Sequence, residues 1–519
     1  MQFTNTIRAF TLLLSLSGLA LLIQSCSKEV DPLPETAPYT YASLDATGGA
    51  WKPLLLSSAT EFAVSAPLAV NSVEYQTELA ALKSASAALR PDQEEAVQFW
   101  GANALVRWNE IARELAAKYN LPPAANPDGT YPAPSAQNPG VYPYFPFANP
   151  PYASRMFAYW STAQFDALIA AWHNKYTYQR PAPYLTDPTI AVRLPENNLP
   201  SYPSEDAVIA AVSQKILTAM FPLEADYIQN LADEHLNSRR WAGMNTDSDL
   251  AAGKALGEAV AAKFLARAST DGMKNALGSL AIQDSMRQAA ENAFGWPAWH
   301  SLEGPPRPGM LMLFGRVKPW CIPNVEAVRP PAPPAIGSDA FNADVAELKR
   351  IADELTPEQR RIANFWADGP STYTPPGHWN RIAADEILEN QLNPLRTARV
   401  FAYMNMSVAD AGISCWDTKY YYCYPRPSQV IPGFRSLLGV PNFPSYTSGH
   451  STFSAAAAAT LGALFPQHAA ELDAKAKEAS ESRIYGGIHF RFDCEEGLKA
   501  GKIIGAYAIE IARRDGADM

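Results

Sequence analysis

Between Lys419 and Asp493 the chain gathers side chains suited to holding a tetrahedral oxyanion. They fall in three motifs: Lys419-x6-Arg426-Pro427, Ser448-Gly449-His450, and Ser482-Arg483-x5-His489-x3-Asp493. A five-coordinate phosphoryl or vanadyl centre spreads negative charge over three equatorial oxygens while bonds form and break along one axis. The guanidinium forks of Arg426 and Arg483 match such oxygens, and the Lys419 ammonium adds a compact charge. The Ser448 hydroxyl and the Gly449 amide complete a ring of donors, with no Cβ at 449 to hold the anion off. Residues 451–464, with alanine at every position from 455 to 459, read as a helix, so the anion would face a helix N-terminus. Two imidazoles remain for the axis. A neutral imidazole can attack phosphorus or bind vanadium, and a second can give or take a proton. Asp493 lies four residues beyond His489, on the same face of a helix, where it can fix the imidazole tautomer.

In this order the three motifs resemble those of the superfamily that joins the type 2 phosphatidic acid phosphatases to the vanadium-dependent haloperoxidases. Several details are nearer the haloperoxidase branch. The run Ser482-Arg-Ile-Tyr-Gly-Gly-Ile-His489-Phe-Arg-Phe-Asp493 is similar to the fungal chloroperoxidase version, and Trp416 and Phe443 fall where that family places the aromatics on the halide side. Phe365-Trp-Ala-Asp368-Gly369 and Thr374-Pro-Pro-Gly-His-Trp-Asn380 add to the likeness, which covers residues 340–519. The resemblance implies vanadate held by Lys419, Arg426, Ser448, Gly449 and Arg483, with His489 as its single protein ligand to the metal. It further implies that His450 manages protons, that Asp493 backs His489, and that Asp368 pairs with Arg483 to hold its fork. Hydrogen peroxide and a halide would be the substrates.

The alternative reading is a phosphatase without a metal cofactor, in which His489 attacks a phosphate monoester to form a phosphohistidine and His450 protonates the leaving group. Trp416, Phe443 and Phe492 favour the first reading. A third reading, an inactive surface lipoprotein, is disfavoured by the complete set of site residues.

The elements that must position these residues read as helices. Strand-like alternation is scarce, and the expected fold is all-α with long Pro-rich loops. Helical patterning begins near Val73. Pro91-Asp-Gln starts a second helix running through Phe99, Trp100 and Leu105 to about Leu115, and residues 122–152 read as a surface loop. Further helices are expected at 163–174, 205–220, 225–237 and 250–267, before a Pro-rich break at 319–334.

Two halves of the chain read as copies. Positions 175 and 419, both lysine, lie 244 apart, and the same offset links Trp172 with Trp416, Pro200-Ser-Tyr with Pro444-Ser-Tyr, Ser238-Arg239 with Ser482-Arg483, and Asp249 with Asp493. At an offset of 266, Pro91 and Phe99-Trp100 fall on Pro357 and Phe365-Trp366. The pattern indicates tandem duplication: a degenerate helical repeat at 72–318, a Pro-rich linker at 319–339, and the active domain at 340–519. The first copy carries Ser204-Glu205-Asp206 in place of Ser448-Gly449-His450, Asn245 in place of His489, Ala102 in place of Asp368, and the shortened Lys175-x4-Arg180-Pro181. Carboxylates there would repel an anion, so this half reads as scaffold. Gly501-Lys-x2-Gly505, paralleled by Gly253-Lys-x2-Gly257, reads as a helix-packing face. His173, His235, His300, His378 and His468 read as surface or structural residues.

The ends and the composition bound the setting. Residues 10–23 form an apolar run typical of a signal peptide, ending at Ile23-Gln-Ser-Cys26, which resembles a bacterial lipobox. Residues 1–26 are therefore expected to be a signal peptide ending at lipidated Cys26. Residues 27–71 would be a tether and transitional segment of an exported, membrane-anchored lipoprotein. The net charge of −10 argues against a nucleic-acid partner. Four cysteines follow Cys26, but none sits at a motif position and spacing alone pairs none of them. Oligomeric state is not legible.

Overall fold

Local capping signals start the helices one after another. Ser72 caps α1 (Val73–Ala87), Pro91 opens α2 (Pro91–Gly101), and Asn103 caps α3 (Ala104–Tyr119). Asn149 followed by two prolines opens α4 (Pro150–Tyr178), and Ser204 caps α5 (Glu205–Met220). Then follow α6 (Ala225–Trp241), α7 (Asp247–Ser269), capped by Thr246, and α8 (Leu280–Phe294), capped by Ser279. After the Pro-rich segment, Ser338 caps α9 (Asp339–Asp353), and Thr356 with Pro357 opens α10 (Pro357–Phe365). These lead to α11 (Thr374–Glu389), α12 (Pro394–Tyr422), capped by Asn393, and α13 (Gly449–Leu464), capped by Ser448. The last two are α14 (Ala469–Tyr485) and α15 (Arg491–Ala512). In this computed structural model, which describes residues 40–131 and 146–518, no strand occurs among the described residues, and the fold is all-α.

Three local expectations need correction. The helix expected from Pro91 to about Leu115 is two helices, because Asn103 adopts an extended backbone (φ −163°) and its side chain accepts from the Val106 amide, restarting the ladder. The loop expected to reach residue 152 ends earlier. Proline at a first helical position costs no hydrogen bond, so Pro150 and Pro151 already belong to α4. Helix α8 was not anticipated. The leader and Cys26 lie outside the described residues, and no described helix is long and apolar enough to cross a membrane.

Element lengths recur through the chain. Helices α4 and α12 are 29 residues each, α5 and α13 are 16, and α6 and α14 are 17, each pair starting 244 residues apart (150 and 394, 205 and 449, 225 and 469). Helices α1 and α9 start 266 apart, at 73 and 339. Buried contacts recur as well. Arg155 pairs with Asp271 at 2.7 Å, and Arg399 pairs with Asp515 at 2.7 Å. Asp166 accepts the amides of Leu54, Leu55 and Leu56, while Asp410 accepts those of Trp320, Cys321 and Ile322, which pins the Pro-rich segment to the body.

Helices α4 and α12 pack on each other and are buried on nearly every side, as helices at a centre must be. Trp160 meets Phe401 at 5.9 Å between ring centroids, and Phe165 meets Tyr403 at 5.8 Å. The Asn109 amide donates to Asn380 Oδ1 at 2.7 Å, joining α3 to α11.

Glycines bring α15 close to α13. A Cβ at Gly497 would lie 2.8 Å from Ser451 Cβ and 3.0 Å from the Ser448 carbonyl; one at Gly505 would lie 2.9 Å from Ala459 Cβ. In the first half, a Cβ at Gly257 would lie 2.7 Å from the Val208 carbonyl. The Gly501-x3-Gly505 run is thus a helix-packing face. Gly497→Ala is expected to destabilise the protein by about 1–3 kcal/mol through overpacking. Gly439→Ala, where nothing lies within 4 Å, should be close to neutral. Urea denaturation midpoints of the two variants check this, and equal midpoints would refute the close-packed seam.

Candidate active site

The buried arginine of the first motif stands immediately before a short helix, Pro427–Val430, so its backbone is fixed by the turn. Its side chain is fully buried. Arg426 Nε donates to the Phe443 carbonyl at 3.0 Å, and Nη1 donates to the Ile488 carbonyl at 2.8 Å and to His489 Nε2 at 3.0 Å. Nη2 is buried and has no hydrogen-bond partner in the protein. A guanidinium rarely leaves such a donor unused, so this orphaned atom marks where an acceptor belongs.

His489 sits between this arginine and a carboxylate, and it does so from outside the helix expected to carry it: α15 begins at Arg491, and the extended Phe490 separates the histidine from it. Its Nδ1 is 2.9 Å from Asp493 Oδ2, the same oxygen that accepts the Ser445 hydroxyl at 2.5 Å and the Phe490 amide at 3.1 Å. The carboxylate therefore keeps the proton on Nδ1 and leaves the Nε2 lone pair toward the cations. Burial, then Arg426, Lys419 and Arg483, push His489 well below its usual pKa, so the ring is neutral. Burial also raises the Asp493 carboxyl above its usual range.

Helix α13 brings up the second motif. Ser448 Oγ accepts from the Ser451 amide at 3.3 Å as the N-cap, which leaves its own proton to donate. The amides of Gly449 and His450, in the first turn, stand outside the intrahelical ladder. A Cβ at Gly449 would meet Phe453 and Trp416 ring carbons at 3.8 Å, ordinary van der Waals contact with apolar neighbours. His450 is partly exposed, and its Nε2 lies 3.9 Å from Asp368 Oδ2. Burial and Arg483 hold its pKa well below the usual imidazole value.

The remaining cations are held by backbone oxygens. Arg483 Nε donates to Ser482 Oγ, and Nη2 donates to the carbonyls of Ala363 (3.3 Å) and Trp366 (2.5 Å). Lys419 Nζ donates to the carbonyls of Pro444, Ser445 and Thr447 at 2.9, 2.9 and 2.5 Å. It acts as a fixed charge beneath the 444–447 segment, with its three protons already engaged, rather than as a free donor. Burial lowers the pKa of both arginines to about 10 and lowers that of the lysine ammonium too. Among the described residues no carboxylate forms an ion pair with Lys419, Arg426 or Arg483.

Trp416 and Phe443 form one wall of this cluster, with ring centroids 5.1 Å apart. Phe443 lies 5.0 Å from Lys419 Nζ and 4.9 Å from Arg426 Cζ. The Trp416 indole is held by the Met310 carbonyl at 2.9 Å. Phe492 does not join them. It stacks on Phe490 (5.1 Å) and meets Tyr424 (5.6 Å) in the apolar core, so it does not distinguish the two chemistries.

The expected pairing of Asp368 with Arg483 is not made. Asp368 turns both oxygens to His378 Nδ1, at 3.2 Å each, while Arg483 gives Nη2 to two carbonyls and Nε to Ser482 Oγ and reaches the carboxylate only as a more distant charge. His378, read from sequence as a structural residue, thus lies one contact from His450. Ser445 was also overlooked as a partner of Asp493. The recurrence of Pro444-Ser-Tyr at Pro200-Ser-Tyr was the signal that could have drawn attention to it.

The corresponding place in the first half is filled from within. Lys175 Nζ pairs with Glu205 Oε2 at 2.6 Å, and Asp206 meets His235 Nε2 at 3.0 Å and Arg239 Nη1 at 3.6 Å. Asn245 donates to the Ser201 carbonyl at 3.3 Å.

The site thus combines a buried ring of cations with an orphaned guanidinium donor, a helix N-terminus with no acidic residue in its first turn and an in-facing imidazole, within an all-helical fold. Residues 400–516 match the model of the PAP2 superfamily, and this chain carries a domain of that superfamily. It is similar to the vanadium chloroperoxidase of Curvularia inaequalis, 28% identical over 132 residues, 20% of this chain and 22% of that one, so the match spans about a fifth of the relative's length. The structure of the first bacterial vanadium-dependent iodoperoxidase aligns with TM-score 0.57 at 24% identity, covering 72% of this chain and 93% of that one. The holo form of a bacterial vanadium-dependent chloroperoxidase aligns at 0.50 and 15% identity, covering 74% and 96%. What these structures share with this chain is the fold.

Arg426→Gln is expected to weaken orthovanadate or phosphate binding about 10- to 100-fold, the range for a lost charge-assisted hydrogen bond. Arg180→Gln in the first half should leave affinity within about twofold. Calorimetric titration of each anion measures both, and equal losses in the two variants would contradict the assignment of the anion site to the second half.

Proposed function

We propose that this chain is a vanadium-dependent haloperoxidase-like enzyme, oxidising a halide with hydrogen peroxide, exported and tethered to a membrane through a lipid on Cys26. The observation that carries the choice of reaction is the Trp416–Phe443 wall against Lys419 and Arg426. A large halide is weakly hydrated and is suited by an apolar, polarisable surface beside positive charge.

The donor set fits vanadate: Arg426 Nη2 is orphaned, and the chemistry of Lys419, Ser448, Gly449 and Arg483 is that of an oxyanion cradle. Arg426, Ser448, Gly449 and Arg483 would hold it by hydrogen bonds and Lys419 by charge alone, and His489 Nε2, which here accepts from Arg426 Nη1 at 3.0 Å, would exchange that contact to become the ligand to the metal. Bound vanadate supplies a Lewis-acidic centre that activates hydrogen peroxide toward a halide. The protein's part is electrostatic and positional. Its cations are preoriented by backbone carbonyls, so they stabilise negative charge without reorganising. Asp493 keeps the His489 tautomer that presents its lone pair. His450, neutral and partly exposed beside Asp368, takes and returns a proton. The first half serves as a scaffold whose own cations Lys175, Arg239 and Arg180 face Glu205, Asp206 and Asp249.

Loading apo-protein with vanadate and assaying halogenation of a dione by peroxide with each halide, beside hydrolysis of an aryl phosphate, tests this reading. Vanadate-dependent halogenation is expected. Hydrolysis without halogenation would establish the phosphatase reading instead. His489→Ala should abolish the activity, whereas Asn245→Ala should leave it nearly unchanged; comparable damage from both would exclude an inert first half.

A further inference from the structure

We infer that His378 is a positioning residue for the acid–base histidine: it anchors the Asp368 carboxylate and so sets the charge environment of His450. The inference rests on the proposed role of His450. Asp368 is buried in the turn after α10, in a left-handed backbone conformation (φ 44°), and both its oxygens are 3.2 Å from His378 Nδ1. Oδ2 is also the atom 3.9 Å from His450 Nε2, so one carboxylate stands between two imidazoles. A carboxylate accepts hydrogen bonds only, so Nδ1 of His378 must carry a proton.

The His378 ring is held on three sides. It stacks on Trp366 with centroids 4.3 Å apart and planes 21° apart, and it meets the rings of Phe365 at 5.1 Å and Tyr373 at 6.0 Å. Trp366 also presents its carbonyl to Arg483 Nη2. His378 therefore reaches the site by two routes: through Asp368 to His450, and through the Trp366 ring and backbone to Arg483. The titratable and charged groups facing this cluster are Asp368 from the turn after α10, His450 from α13, Arg483 from α14, Tyr373 at the start of α11 and, beside His450, His489 from the segment before α15. Arg113 of α3 stands over the Tyr373 ring at 5.6 Å.

The first half contains a related couple. His235 stacks on Trp100 at 4.4 Å and lies 3.0 Å from Asp206 Oδ1. There the carboxylate occupies the place of His450 itself, so the couple ends in an ion pair with Arg239. In the second half the carboxylate comes from a different segment and has a histidine on each side. A purely structural His–Asp contact needs no second imidazole.

Substitution separates the hydrogen bond from the packing. His378→Phe keeps the stacked ring and removes the donor, His378→Gln removes the donor at the Nδ1 position with a polar side chain, and His378→Asn retains a donor there. Without the donor the Asp368 carboxylate loses a partner and attracts a proton on His450 more strongly. The acidic limb of the pH–rate profile should then move up by about one pH unit in the Phe and Gln variants. It should stay near the wild-type position in the Asn variant. The His450 titration, followed by NMR of ring-labelled histidine in the full chain, should move in the same direction and does not depend on turnover. Absence of any turnover with the NMR shift intact would count against the functional reading alone. An unmoved His450 titration in a folded Phe or Gln variant, or equal movement in all three variants, would overturn the role given to His378.

Discussion

Buried positive charge that lacks a carboxylate partner is the constraint around which this molecule is arranged. Arg426 and Arg483 are nearly or wholly excluded from solvent, and Lys419 is fully buried. Taking such groups out of water is costly unless negative charge or oriented dipoles replace the solvent. Backbone carbonyls provide the dipoles: three for Lys419, two for Arg426 and two for Arg483. They hold the cations in place without neutralising them, and the site is left with a net demand for an anion.

The first half faces the same problem with the same scaffold and meets it differently. Glu205 brings its carboxylate to the Lys175 ammonium from the first residue of α5, the position that Gly449 holds on α13. Asp206, one residue on, takes up His235 and Arg239. Matching helix lengths thus carry opposite electrostatics. One half contains its own counter-charge, while the other has no acidic residue in the first turn of the matching helix.

Convergence depends on close packing some distance from the chemistry. The glycine face of α15 lets that helix approach α13 closely enough for the Asp493 carbonyl to accept the Ser448 amide at 2.9 Å. The Asp493 carboxylate itself is set against His489 locally, by the Phe490 amide and the Ser445 hydroxyl that it accepts. The 29-residue α12 carries Trp416 and Lys419 near its C-terminal end, where Cys423 in a left-handed conformation stops the helix and turns the chain toward Arg426.

Much of this was legible in the residues themselves. The all-helical class follows from local periodicity and capping, and the suitability of the cluster for an oxyanion follows from residue types whose donor geometry is intrinsic to the side chains. The contact of His489 with Asp493 was legible but not its cause: His489 stands before α15 across the extended Phe490, and Asp493 in the first turn reaches back to the Phe490 amide and His489 Nδ1 rather than sharing a helix face with it. The partner of Asp368 was not legible. Whether it meets Arg483 or His378 depends on which carbonyls reach the arginine first, and that is decided by how α10, α11 and α14 pack. Nor could the sequence say that the protons of Lys419 are spent on carbonyls, or that Phe492 faces the core while Phe443 faces the cations. Residue identity and spacing determine which interactions are available. The tertiary structure chose among them, because each buried donor must be satisfied and only the packed fold decides which acceptor lies within reach.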